Sequence, residues 1–280
     1  MKRLFGAIAI FLMGQIVFSG MAAAQSVEAK FSTPDAPTLS EPDRPAYLPF
    51  GVGESLEYSV SWGKVFKAGT AKVMTKELVD YQGHDVFKIS VVGKSSAAVA
   101  IFYKVREEME SLIDAKEGFT RRYWGKTKEN DRLRERLYEF DQERNVVMYK
   151  NHKNKQATYQ IPYGIHDEVS SVFHMRTAKL EVGTPVYVQV FAKPDVVTVK
   201  CNVIKRETIN VPAGEFQTIL VEPELTFDGV MKKGKMKIWF TDDERRMPVK
   251  VKSKMTIGSI IVQLEKYEVG NNPAYLAAER

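Results

Sequence analysis

The stretch GESLEYSVSW, Gly53 to Trp62, decides the fold: Leu56, Tyr58, Val60 and Trp62 alternate with Glu57, Ser59 and Ser61. A period of two marks a strand with one face buried and the other wet. The same period returns at Ala71 to Leu78, Asp85 to Val92, Val105 to Ile113, Phe119 to Thr127, Leu133 to Phe140 and Val146 to Lys150. After an interruption it resumes at Val186 to Phe191, Val196 to Ile204, Phe216 to Glu222, Lys235 to Phe240, Val249 to Met255 and Ser259 to Tyr267. Gln82-Gly83 suits a tight hairpin corner because glycine tolerates positive φ, and Pro212-Ala213-Gly214 and Asp228-Gly229 supply further turns. Such a succession predicts an antiparallel meander. Only the charge-rich run from Lys126 to Arg136 admits a helix as an alternative to strand.

The interruption itself reads as helix. Asp167 is a good N-cap, Glu168 suits the positive end of the helix dipole, and Val169, Val172, Phe173 and Leu180 share one stripe before Gly183 ends it. The expected fold is therefore mainly β, a curved antiparallel sheet or half-open β-barrel with one substantial amphipathic helix at about residues 167–180.

Upstream, Lys2 and Arg3 precede an apolar run from Leu4 to Phe18, and Ala22 and Ala24 form an Ala-x-Ala cleavage signature before Gln25. Residues 1–24 are thus expected to be a signal peptide and the mature protein periplasmic or secreted. Residues 25–49 read as a linker, since Pro34, Pro37, Pro42, Pro45 and Pro49 recur without apolar periodicity. A single β-rich domain is expected over 50–270, with a short tail at 271–280. After the leader no stretch approaches the about 20 apolar residues needed to span a bilayer, so the mature chain is not expected to cross a membrane.

Composition excludes several classes. The formal charge falls from +6 to +4 once Lys2 and Arg3 leave with the leader, too little to point to nucleic acid. Cys201 is the only cysteine, which rules out an internal disulfide and any Cys-based metal cluster. Alternating with valines, it reads as a small buried hydrophobe and not as a nucleophile. His84, His152, His166 and His174 are the only histidines, and none forms a His-x-x-x-His array for zinc. No Gly-rich phosphate loop occurs, so neither cofactor nor metal is expected.

His166, Asp167 and Ser170 lie close enough in sequence to touch at the helix start. A Ser-His-Asp relay would also need an exposed nucleophile and an oxyanion hole, and no Gly-x-Ser-x-Gly elbow is present; a capped helix terminus is the plainer reading. Asp242 and Asp243 invite comparison with paired catalytic carboxylates or a cation site. Followed by Arg245 and Arg246 on a turn, they read more simply as solvated charges with local partners. No catalytic residue is assigned.

Two features suit binding. If Arg132, Arg134 and Arg136 lie on a strand they share one side, and a basic band there would suit anionic head groups or an acidic partner; Glu129, Asp131 and Glu135 dilute it. The uncharged segment SSAAVAIFY, Ser95 to Tyr103, reads as a cavity lining, a lid or a short core helix. Trp62, Ala98, Ile101, Phe102 and Phe173 are the apolar ligand-binding candidates. Asp167, Arg176, Asp242 and Asp243 are the polar ones.

Three longer stretches carry a family resemblance. ETINVPAGEFQTILV at Glu207 to Val221, IWFTDDERRMPVKVKSKMTIGSIIVQL at Ile238 to Leu264 and LPFGVGESLEYSVSWGKVFKAGTAKV at Leu48 to Val73 resemble exported bacterial proteins catalogued as domain of unknown function 3108. DEVSSVFHMRTAKLEVG at Asp167 to Gly183 shows a similar Asp, Ser and Arg spacing ahead of a Gly. The resemblance implies a secreted β-rich domain. By fold-level analogy it also looks like the half-barrel of periplasmic lipoprotein carriers, and it implies no activity and no site residues. The leading expectation is an exported non-enzymatic protein that binds or carries a lipid or acyl chain in the cell envelope. An envelope interaction or assembly module with a packed interior and a protein partner is the alternative, and an envelope hydrolase the third.

Overall fold

Alternation of apolar and polar side chains builds one large antiparallel sheet. The computed structural model describes residues 48–63, 66–193, 195–227, 230–232, 236–255 and 258–271. Its strands are β1 (Ser55–Trp62), β2 (Phe66–Tyr81), β3 (His84–Ser95), β4 (Val105–Asp114), β5 (Thr120–Glu129), β6 (Arg132–Asp141), β7 (Val146–Asn151) and β8 (Gln156–Gln160). They continue as β9 (Val186–Ala192), β10 (Asp195–Val211), β11 (Gly214–Phe227), β12 (Val230–Lys232), β13 (Met236–Thr241), β14 (Pro248–Lys254) and β15 (Ser259–Glu268). Two helices interrupt them, α1 (Ala97–Ala100) and α2 (Ser170–Thr177).

The sheet runs β8-β7-β6-β5-β4-β3-β2-β1-β15-β14-β13-β11-β10-β9, with β12 added to β11. Two meanders are thereby joined at their middle by the first and last strands, Tyr58 pairing Leu264 and Val60 pairing Val262. The sheet is not closed into a barrel. It nevertheless curls until its two outer strands meet: the Phe191 ring of β9 lies 5.6 Å from Tyr159 of β8 and 5.3 Å from Tyr138 of β6. Residues 161–166 cross the remaining gap. Ile161 donates to Asn145 O, and His166 exchanges backbone bonds with Gln189 and Phe191 of β9.

Side-chain parity fixes which face is inside. Val91, Met109, Tyr123 and Tyr138 are buried on one face and belong to one apolar cluster with Leu56, Tyr58, Val262 and Leu264. A second cluster joins Val188, Val190, Cys201, Val203, Ile219, Val221 and Phe240 to Met175 and Leu180 from the α2 region. Because large apolar side chains contribute roughly 1.5 to 3 kcal/mol each when fully buried, these faces hold the curl. Cys201 is buried there, and burial pushes its thiol up to about 12.

The expected strands all form, and the run from Lys126 to Arg136 is strand, with a turn at Asn130, φ +50°. Gln82 and Gly83 take φ of +56° and +83°, the pair a type I′ hairpin requires. The sequence reading missed β8, where Ala157 and Tyr159 are set among glutamines and a threonine with little apolar contrast. The helix is shorter than 167–180 because Ala178 turns extended, so Leu180 reaches the core from outside the helix. Its buried residues are Ser170, Phe173, Met175 and Arg176, while Val172 is half-buried, so the face is polar and apolar together and not an apolar stripe. Leu48, Pro49 and Phe50, read as the end of the linker and the start of the domain, are all buried. The leader, the linker up to residue 47, Asp228-Gly229 and residues 272–280 lie outside the described residues.

Antiparallel pairing places the connections alternately on two rims. One rim carries residues 48–54, the β2–β3, β4–β5, β6–β7, β10–β11 and β13–β14 connections, and α2. The opposite rim carries the β1–β2, β3–β4, β5–β6, β7–β8, β9–β10 and β14–β15 connections, with α1.

Candidate functional site

Where the second meander begins, α2 inserts polar groups into the core, and three connected clusters result. The first surrounds Asp167, which is 1% exposed. Its Oδ1 accepts from the backbone of Val169 at 2.6 Å and Ser170 at 3.0 Å, capping the first turn as its sequence position implies. Oδ2 accepts from the hydroxyls of Ser111 at 2.5 Å and Thr120 at 2.8 Å. Burial pushes this carboxyl up to about 6, against the pull of those donors. His166 Nδ1 lies 3.3 Å from Ser170 Oγ and its ring 4.4 Å from that of His174. Burial drives both imidazoles down, His174 to about 4.

The sequence thus brought His166, Asp167 and Ser170 together correctly, but they do not form a relay. A relay needs the carboxylate behind the imidazole and the hydroxyl in front of it, open to substrate. Here the Asp167 oxygens bond Ser111, Thr120 and two backbone N–H groups, and Ser170 is fully buried. The arrangement anchors the chain that crosses the gap.

The second cluster is Glu168, Tyr123 and Arg136. Glu168 Oε2 accepts from Tyr123 OH at 2.9 Å and Arg136 Nη2 at 2.5 Å, and the Arg136 guanidinium lies over the Tyr123 and Tyr138 rings at 5.3 and 5.9 Å. Arg136 pairs across the strands with Gly125, where an added Cβ would meet Tyr123 Oη at 2.7 Å. Gly125→Ala should therefore displace the Tyr123 hydroxyl and destabilise the fold by about 1 to 3 kcal/mol, read as a lower urea midpoint with unchanged slope. Beyond this group lies Glu107, 2% exposed, whose Oε1 takes a 3.4 Å bond from Thr127 while Oε2 has no hydrogen-bond partner. Burial raises its carboxyl to about 8, with Arg136 opposing.

The third cluster fastens the start of the domain. Arg176 clamps Glu54 through Nη1 at 2.6 Å and Nη2 at 2.7 Å, and also donates to Pro49 O and Arg245 O. Its guanidinium stacks 5.4 Å from the Phe50 ring and 5.2 Å from that of Phe173. One ion pair thus joins Glu54 of the Leu48 to Val73 stretch to Arg176 of the Asp167 to Gly183 stretch.

The other candidates are dispersed. Phe173 is buried 4.7 Å from Phe50, on the rim that α2 closes. Trp62, Ala98, Ile101 and Phe102 are on the opposite rim, Trp62 half-buried and the other three exposed. Asp242 accepts from Arg206 Nε at 2.7 Å. Asp243 accepts from Thr241 Oγ1 and the backbone of Arg245 and Arg246; burial pushes its carboxyl up, but Thr241 and the Arg245 guanidinium outweigh that and hold it low. Arg132, Arg134 and Arg136 do share a side, yet Arg134 is paired to Glu129 and Arg136 to Glu168. Among the described residues no group of three His, Cys, Asp or Glu is placed to hold a metal ion.

Sequence reasoning missed Glu54, Glu107, Tyr123 and Arg136 as members of these clusters. A signal existed for two of them: Glu107 shares parity with Val105 and Met109, and Arg136 with Tyr138 and Phe140, so each is a charge in an apolar register.

A curled antiparallel sheet with α2 packed at one rim and braced by buried ion pairs defines a barrel-like β-protein. The chain belongs to the family described as protein of unknown function DUF3108, whose model matches residues 57–265. No curated protein matches the sequence. Among solved structures it is similar to a beta-barrel-like protein of domain of unknown function DUF1849 from Brucella abortus, at 13% identity and TM-score 0.55, covering 79% of this chain and 99% of that one. That likeness is one of fold. Weaker similarity, TM-score 0.37, extends to a Bacteroides fragilis protein with a YmcC-like fold, at 11% identity with 79% and 98% of the chains covered. It extends equally to a Parabacteroides distasonis chain described as a lipoprotein, at 12% identity, TM-score 0.37 and coverage of 79% and 99%. No helix among the described residues is long and apolar enough to cross a membrane.

Proposed function

We propose that this chain is an exported, non-enzymatic protein of the cell envelope that works as an interaction module through its surface, its interior being filled by its own side chains. The observation that carries this reading is one continuous cluster of buried side chains drawn from both meanders, from Leu56, Met109 and Tyr138 to Leu220 and Leu264, into which Phe191 packs against Tyr138 and Tyr159 at 5.3 and 5.6 Å where the outer strands meet. A lipid carrier needs a cavity of several hundred Å³ along that face. The hydrolase reading loses support because Ser170 and His166 are sealed in the core and Asp242 and Asp243 are engaged by local arginines and backbone. Carriage of a lipid or acyl chain is the second reading, and one observation favours it: the free oxygen of Glu107, within electrostatic reach of Arg136, would suit a polar head group.

Native mass spectrometry of protein taken gently from the periplasm, before and after organic extraction, separates the two. The expected spectrum is the bare chain in both cases, and an adduct lost on extraction would replace this reading with the carrier. N-terminal sequencing of the same sample should begin at Gln25. An intact Met1 would remove the export reading.

A further inference from the structure

The rim opposite α2 carries large apolar side chains that the fold leaves in water. Ile101 and Phe102, directly after α1 in the β3–β4 connection, are 77% and 79% exposed. Phe66, at the first residue of β2, is 49% exposed and Leu133, at the second residue of β6, is 40% exposed. Ordinary surfaces scatter single hydrophobes; here two sit in a connection and two at adjoining strand ends of one rim. α1 is a built support for two of them. Ser96 Oγ caps it by accepting from Val99 N and donates to Lys67 O, and Val99 is buried, so Ile101 and Phe102 are presented from a fixed turn.

Among the described residues the charge around this rim is of one dominant sign. Lys94, Lys104, Lys128, Arg132, Lys153 and Lys155 are all exposed on the same strand ends and turns. Of the acids described there, Glu108 is bonded to Arg106, Glu129 to Arg134 and Glu224 to Asn202, and among the described residues Asp131 is exposed on the β5–β6 turn and Asp195 half-buried at the start of β10. Apolar tips within a basic border are complementary to a surface that is anionic at the head groups and apolar just beneath them. An acidic protein would satisfy the bases but would need its own pocket for Ile101 and Phe102.

We infer that this rim docks on an anionic phospholipid surface, with Ile101 and Phe102 entering the interface and the surrounding lysines and arginines facing the head groups. The inference rests on the surface-acting reading above. Its test is separate from that one, because the vesicle assay reads the rim and mass spectrometry the interior.

The test is co-sedimentation of periplasm-derived protein with vesicles of phosphatidylethanolamine and phosphatidylglycerol at about 3:1, against phosphatidylcholine alone, at low and high salt. Protein from the periplasm is used so that the apolar run from Leu4 to Phe18 cannot itself hold the vesicle. Binding should appear with the anionic vesicles, be weak with phosphatidylcholine, and fall several-fold as salt rises. Ile101→Asp with Phe102→Asp should lower partitioning at least about tenfold, and Lys153→Glu with Lys155→Glu several-fold. Both pairs are exposed, and unchanged near-UV circular dichroism would establish that they fold. Equal binding to both vesicle types, no binding, or binding untouched by the Ile101 and Phe102 changes would overturn the inference. So would concentration-dependent self-association that the same changes abolish, since the rim would then join copies of this chain.

Discussion

Replacing Arg176 by Ala should destabilise the protein by about 3 to 5 kcal/mol, the range for removing one partner of a buried ion pair. The guanidinium is 1% exposed and the Glu54 carboxylate 5% exposed. Deletion of the guanidinium leaves the Glu54 carboxyl buried and without its two short bonds. Pro49 O and Arg245 O lose a donor at the same time, and Phe50 and Phe173 lose the cation stacked on them. Urea unfolding followed by tryptophan fluorescence should show the midpoint fall. Arg176→Met with Glu54→Met should recover much of the loss, because paired charges exchanged for apolar groups of similar volume avoid the stranded carboxylate. A loss below about 1 kcal/mol in Arg176→Ala would mean that water reaches Glu54 and that the clamp is peripheral.

Glu107→Gln should remove a large share of the pH dependence of stability. The carboxyl is held at about 8 in the folded protein against an ordinary 4.5, so between those values the native state binds a proton the unfolded chain releases. Stability from this group is accordingly full below 4.5 and lost as pH rises toward 8. At about 1.4 kcal/mol per pH unit the full shift amounts to a few kcal/mol. The amide cannot ionise and retains the shape. Wild type and variant should therefore lie close at pH 4.5, with Glu107→Gln about 2 to 4 kcal/mol the more stable at pH 8.5, as read from urea midpoints across the series. Parallel curves would show that Glu107 ionises freely in the fold. His166 and His174 act oppositely: with pKa values pushed down they cost stability on acidification, so the variant should become the more acid-sensitive protein in relative terms.

Most strands were legible because period two is a property of neighbouring residues and each stretch read as strand displays its own apolar face; β8 was not, because no residue of Gln156–Gln160 is fully buried. The location of the helix was legible from Asp167 and its donors two and three residues on. Its length was not, because Ala178 leaves the helix to place Leu180 in the second cluster, a decision made by tertiary contacts. The clusters were illegible for a similar reason. Glu54 and Arg176 are 122 positions apart, and nothing local says that two charges so distant neutralise one another. Ser95 to Tyr103 could be read as apolar and uncharged, but whether Ile101 faced a cavity or water depended on which rim α1 occupied.

The pairing of β1 with β15 at the centre of the sheet makes folding wait for the end of the chain. Each meander can zip locally, hairpin by hairpin, but Ser55 meets Glu268 only after more than two hundred residues have been ordered around them. Contacts that distant in sequence close a long loop and slow the search. Until Ser259 to Glu268 arrives, β1 and β14 each present an open row of N–H and C=O groups able to recruit a strand from another molecule. A chain emerging amino end first therefore passes through a stage with two sticky borders, and a stop anywhere before Ser259 makes that stage permanent.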